Sequence, residues 1–245
     1  MHARWLSSYY LSLLGLLFIS LALVFMAGTA AAQDATPTPA PAVMLPMENG
    51  QYFDTSGICA VCHANMFDEH GNDISVDTAW RATMMGNSGR DPYWRAGLRR
   101  EVLSNPDFGD FIQDKCATCH MPMARTTVNL STGEYLPVFG ENGAIQPTSP
   151  YHNLALDSVS CTLCHQITTD HLGQREGFSG HYTIDGTAEQ TQRVMYGPFL
   201  PDAAQVAFMQ ASVGGVQTFS THISSSELCA SCHELYTPYF EVELS

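Results

Sequence analysis

The sequence predicts a mainly α chain with long loops and a side-chain core too sparse to hold it together unaided. Three observations predict this. All eight cysteines fall in four copies of one pentapeptide, residues 45–245 supply only about fifty residues per copy, and the apolar residues are scattered among Gly, Pro, Ser and Thr with few long periodic runs. The copies read CAVCH (Cys59, Cys62, His63), CATCH (Cys116, Cys119, His120), CTLCH (Cys161, Cys164, His165) and CASCH (Cys229, Cys232, His233). Cys-x-x-Cys-His is the attachment signature of c-type haem. Two thiols form thioethers with the porphyrin vinyl groups, and the adjacent imidazole reaches the iron. One tight turn presents both sulfurs along a porphyrin edge while aiming the ring nitrogen at the metal. Four covalently bound haem c groups are therefore expected. With them comes a multihaem cytochrome c fold in which the haems form the core, wrapped by short helices and loops. Little stable fold is expected without haem, as in small domains that need their metal.

Other uses of paired cysteines explain less. Structural zinc takes four ligands from two Cys-x-x-Cys knuckles and does not require a histidine after every second cysteine. Disulfides across two-residue loops are short and prone to strain. A thioredoxin-like dithiol is one motif in a strand–helix setting, not four scattered ones.

The elements follow in order. Residues 1–32 read as an export leader: Arg4, an apolar run over 11–27, and Ala30-Ala31-Ala32 before Gln33. The run is long for a signal peptide, so an uncleaved membrane anchor is the other reading. Both readings carry the remainder out of the cytoplasm, to a periplasmic or otherwise extracytoplasmic location. Residues 33–44, with ATPTPAPAV, are a proline-rich linker, and 45–245 form the domain that carries the motifs. Helices are expected over 77–85 (DTAWRATMM), ended by Gly86-Asn87, and over 92–104, opened by a first-turn proline. A helix is expected to lead through 107–119 into the second motif. Another spans 201–212, with Val206 and Met209 on one face and Gly214-Gly215 behind it. A last one spans 224–233, with a capping box on Ser224 or a neighbour, and carries the fourth motif. Residues 128–149 are rich in turn formers, with a short hairpin around Ser131-Thr132-Gly133. The motifs recur at intervals of 57, 45 and 68 residues, which repeats a site and not a solenoid unit.

Proximal iron ligands follow from the motifs: His63, His120, His165 and His233. Distal ligands decide whether an iron only carries electrons or has a vacancy. His222, seven residues before Cys229, and His152, nine before Cys161, are the distal candidates by spacing. His171, His181 and His70 lie in polar or glycine-rich stretches and read as exposed histidines. Methionine competes as a ligand. Met84 and Met85 share a predicted helix with Trp80, a natural porphyrin-packing residue, whereas Met121 and Met123 fall too close to His120 to cross to the far face of the same haem.

The pattern resembles the tetrahaem cytochrome c-554 family. In that family the first site runs CAxCH and is followed by W-x-x-S-x-H; here CAVCH is followed by Trp80, Thr83 and Met85. VSCTLCHQ and SSELCASCHEL also look like sites of this family. Met85 stands where the family has a ligating histidine, so the resemblance makes Met85 a distal candidate. It also implies electron transfer between a periplasmic dehydrogenase and downstream carriers, with one haem of the founding type open.

Charge narrows the partners. Loss of Arg4 with the leader leaves nine basic against 24 acidic residues, a formal −15. Such a surface argues against nucleic acid and anionic lipid, leaving the membrane as a partner only if the N-terminal segment is retained. It suits redox proteins with basic docking patches. The leading expectation is an electron carrier that is not an enzyme. One alternative is a reductase or oxidase of a small nitrogen or sulfur compound, drawing on Arg81, Arg90, His171, His181 or Tyr182 above an open haem. The other is a haem-stacking subunit of a filament or membrane complex.

Overall fold

The computed structural model describes residues 45–237 and 239, so the leader and linker expected over 1–44 lie outside the described residues. These residues are mainly helical, with long connections and two short strands among them. No helix among them is long and apolar enough to cross a membrane.

Helix α1 (Ser56–His63) carries the first motif. Its start is gripped from a distance of 101 residues: the buried Asp157 carboxylate accepts from Ser56 N (2.7 Å) and from Ser56 Oγ (2.5 Å). One carboxylate thereby satisfies a first-turn amide and offsets the helix dipole. Helix α2 (Val76–Arg81) is shorter than the 77–85 expected. The Thr83 hydroxyl donates to Trp80 O (2.8 Å) and accepts from Gly86 N (3.0 Å), so side-chain bonds replace the helical ladder there. A 3-10 turn, Met85–Asn87, follows.

Helix α3 (Pro92–Ser104) has the expected bounds, with Asp91 accepting from Tyr93 N and proline in the first turn. Helix α4 (Gly109–His120) runs into the second motif. Helix α5 (Pro122–Thr132) replaces the hairpin expected around residues 131–133. Pro122 starts it, Gly133 in the left-handed conformation (φ 74°) stops it, and the hydroxyls of Thr127 and Thr132 fold back onto the carbonyls four residues earlier. Burial of Met123, Ala124 and Val128 overrides the weak helix propensity of its threonines and valine. Two short helices, α6 (His152–Leu156) and α7 (Cys161–Cys164), precede and carry the third motif.

The strands form a parallel pair that the sequence reading did not expect. Strand β1 (Arg193–Gly197) pairs with β2 (Gly215–Phe219), Arg193 opposite Gly215 and Gly197 opposite Phe219. Parallel strands need a crossover, and helix α8 (Ala203–Val213) supplies it. It opens with a complete Asp202/Gln205 capping box and closes on left-handed Gly214. Helix α9 (Ser226–His233) carries the fourth motif. The capping box expected on Ser224 or a neighbour is absent; a 3-10 turn, Thr221–Ser224, occupies that stretch, and N-cap Ser225 makes no side-chain bond.

A side-chain core does exist. Phe53, Met121, Met123, Leu136, Val138 and Leu163 are fully buried at its centre, and its fully buried apolar members all fall between Tyr52 and Ile167. Beyond Ile167 no described apolar residue is fully buried in it; Leu172, Tyr182, Ile184 and Leu228 only pack against it. The segment that makes β1, α8, β2 and α9 therefore lies outside that core. Within it, a buried ion pair of Arg193 Nη2 with Asp54 Oδ2 (2.8 Å) ties β1 to the approach to α1.

Replacing Asp157 by Ala leaves Ser56 N and Oγ buried without acceptors and is expected to cost about 2–4 kcal/mol. Urea unfolding with an unchanged m-value reads it; a loss below about 1 kcal/mol would show that the α1 start does not depend on this carboxylate.

Candidate haem-attachment sites

All four motifs lie on helices, which puts each pair of cysteines and the following histidine on a single turn. The eight thiols are free of disulfides. The helices bring the motifs together in an order unlike their order in the chain. The Cys59 and Cys161 thiols interact with each other, which pushes Cys59 up and Cys161 down from the usual thiol range. Cys232 and Cys119 interact likewise, with Cys232 pushed up and Cys119 down. Cys164, pushed up to about 11 chiefly by burial, is also within electrostatic reach of Cys229. The motifs thus run first, third, fourth, second. Among the described residues no three or more His, Cys, Asp or Glu side chains gather as a metal cage, so the four-ligand arrangement of structural zinc is not assembled.

Two motif histidines are held in the tautomer that metal ligation through Nε2 would need. His165 Nδ1 donates to Tyr196 O (2.5 Å), and Tyr196 N donates back to His165 O (2.7 Å). His120 Nδ1 lies 3.4 Å from Ser88 O, and its ring stacks on Trp94 with centroids 4.5 Å apart and planes at 5°. A carbonyl on Nδ1 fixes the proton there and leaves the Nε2 lone pair for a metal. Burial also pushes the His120 pKa down, favouring the neutral ring. His63 and His233 are exposed.

In front of α1 lies a cavity of about 300 Å³ that includes Cys59, Cys62 and His63 in its lining. Strand alternation turns Arg193 and Met195 of β1 and Gly215 and Gln217 of β2 toward it. Gln217 Oε1 is buried there without a partner. An apolar recess behind two thiols and an imidazole fits the face of a covalently attached porphyrin, while Arg193 at its wall is already paired with Asp54. A second cavity, about 420 Å³, lies beside the second motif and includes Thr118, Lys115, Arg125 and His181.

The distal candidates separate. His152 has a buried Nδ1 with no protein partner, as expected of an imidazole meant for something other than protein. His222 is buried, but both its nitrogens are engaged: Nε2 with Ile167 O (2.8 Å) and Nδ1 with Ser220 Oγ (2.6 Å). Its ring meets Tyr196 edge-on, so it braces β1 behind the third motif, and a metal would have to take Nδ1 from the Ser220 hydroxyl. Met85 is 44 % exposed, and its carbonyl lies 3.4 Å from Val159 N, which places it at the approach to the third motif; it does not line the cavity at the first. Met121 and Met123 are core residues at 0 % exposure. His70 is an exposed turn residue beside Glu69, and His171 is exposed in a left-handed loop position. Sequence reading missed Met195 and the cavity face of α8; spacing four residues apart along α8 was the available signal.

The groups proposed for substrate chemistry are not brought together. Arg81 pairs with Asp77, Arg90 bonds Gly86 O, and the Tyr182 hydroxyl is bonded to Thr126 and pushed up by burial. His181 and Arg90 line different cavities.

Compared with family models, curated proteins and solved structures, the chain matches none.

Gly180 marks where the second and fourth motifs meet. Its φ is 83°, its amide donates to Ser231 O (2.6 Å), and a Cβ there would run into Thr118 and lie 3.4 Å from Cys119 Sγ. Gly71 has a similar φ of 80° and open space around it. Gly180→Ala should therefore cost more than Gly71→Ala, which carries only the backbone strain of about 1–3 kcal/mol. Equal losses in thermal unfolding of the two variants would deny the contact.

Proposed function

We propose that this chain is an extracytoplasmic tetrahaem c-type cytochrome, akin to the cytochrome c-554 family, that carries electrons between redox proteins. The observation that carries the reading is four Cys-x-x-Cys-His motifs carried on helices, with the first close to the third and the second close to the fourth. Bound haem c supplies a one-electron iron couple at each motif.

The chain's own residues do the rest. Eight thiols would hold the groups covalently, and His63, His120, His165 and His233 would ligate the irons. Tyr196 O and Ser88 O set the orientation and basicity of two of those imidazoles, which is a lever on potential. Trp94 shields His120 from water by stacking. The first motif close to the third and the second close to the fourth would put neighbouring groups at short range, so transfer between them needs no bound substrate and no general acid or base. The acidic balance of the chain selects basic surfaces on the donor and acceptor, with encounter rates that fall as salt rises.

Expression with the haem-attachment machinery of an exporting host is expected to give four haems per chain by pyridine haemochrome and by intact mass. Replacing Cys116 and Cys119 together by Ser should leave three. A mature chain without covalent haem, or one whose haem count is unchanged in the double variant, would overturn the reading. A second expectation concerns Met85: Met85→His should lower one of the four midpoint potentials if its thioether ligates iron, and an unchanged redox titration removes it as a ligand.

A further inference from the structure

Helix α8 is built in a way that its own packing does not explain. It has the composition of a core helix (AAQVAFMQASV), yet none of its residues is buried, and Phe208 is 63 % exposed. Phe208 and Met209 are large apolar side chains of a kind that an interior or a bound apolar body would cover. Its ends are nevertheless well specified, with the Asp202/Gln205 capping box at one and left-handed Gly214 at the other. The helix is fixed in place over the recess in front of α1, where Gln205, Phe208, Met209 and Ser212 line the cavity. These positions are i, i+3, i+4 and i+7, one face of a helix. A flat apolar body seated between α1 and α8 would bury that face.

The lining also restricts what can reach an iron held by His63. Apart from His63 it contains no imidazole, and its thioethers are Met195 and Met209. The two differ. Met195 lies along the strand floor: a Cβ on Gly215 would meet its Cγ at 2.5 Å and its Sδ at 3.7 Å, so its sulfur rests on the β2 backbone. Met209 stands on the helix, in the middle of the cavity face. His222, Met85 and His152 are not among the residues lining this recess.

We infer that Met209 supplies the sixth ligand of the iron held by His63, with α8 as the distal wall of the first site. This rests on the tetrahaem reading above. A thioether opposite an imidazole gives a higher potential than a second histidine, so this ligation would set the first site above a bis-histidine potential.

The test uses the haem-loaded protein, with the haem count taken first. Fewer than four covalent haems in the parent protein would fail the tetrahaem reading itself; the comparison that follows addresses Met209 alone. In ferric protein with four haems, Met209→Leu should reduce the near-infrared charge-transfer band of methionine-ligated haem and convert one iron to a high-spin signal in paramagnetic resonance. Met209→His should remove the same intensity while keeping all irons low-spin, and should lower one midpoint potential. Met195→Leu should leave band and spin state as in the parent. A band unchanged in both Met209 variants, or lost in Met195→Leu, overturns the assignment.

Discussion

The backbone of Tyr196 holds the third motif by two hydrogen bonds, one to the His165 ring and one to its carbonyl, and most of the arrangement around the first and third motifs depends on that clamp. It makes β1 a shared wall. The pleat turns Arg193 and Met195 toward the recess at the first motif while the Tyr196 main chain docks the third. A strand pair of five residues each is marginal by itself. Here Arg193 anchors it, donating to Tyr52 O (2.8 Å) and pairing with Asp54, and His222 braces Tyr196 from behind. Burial pushes the Asp54 carboxyl up even with the guanidinium beside it, so the pair is no free gain in stability. Its use is positional: it sets the distance between β1 and the residues that lead into α1.

The four motifs were legible in the sequence because their chemistry is local. Two thiols and an imidazole on one turn need only the pentapeptide. Helix bounds were legible where end signals are local too, as at Asp91-Pro92 for α3 and Gly214 for α8. The α5 segment was misread because Thr126, Thr127, Val128 and Thr132 favour strand or turn, and only tertiary burial of Met123, Ala124 and Val128 decides for helix. The pairing of β1 with β2 was invisible for another reason. Parallel strands joined through a helix carry no turn signature, and both strands are short and half-exposed.

Distal ligation was the least legible feature, since spacing along the chain does not say which face of which site a histidine reaches. His222 lies close in sequence to the fourth motif but is spent on Ile167 O and Ser220. His152, equally near its motif, keeps a buried nitrogen with no protein partner. The difference between the two is a hydrogen-bond census, which only coordinates supply.

The division of the core explains why the chain carries so few residues per motif. Side chains from Tyr52 to Ile167 pack into an ordinary apolar cluster, and α4, α5, α6 and α7 present the second and third motifs from it. Past Ile167 the apolar residues stay at the surface: Phe199, Leu200, Phe208 and Leu235 are each at least 60 % exposed. That many large apolar groups without a shared interior do not describe a second core. On the proposed reading they form a layer that would close over the groups held by the four motifs. The first half of the domain therefore accounts for its fold with its own side chains, whereas the second half leaves much of its apolar surface uncovered by them.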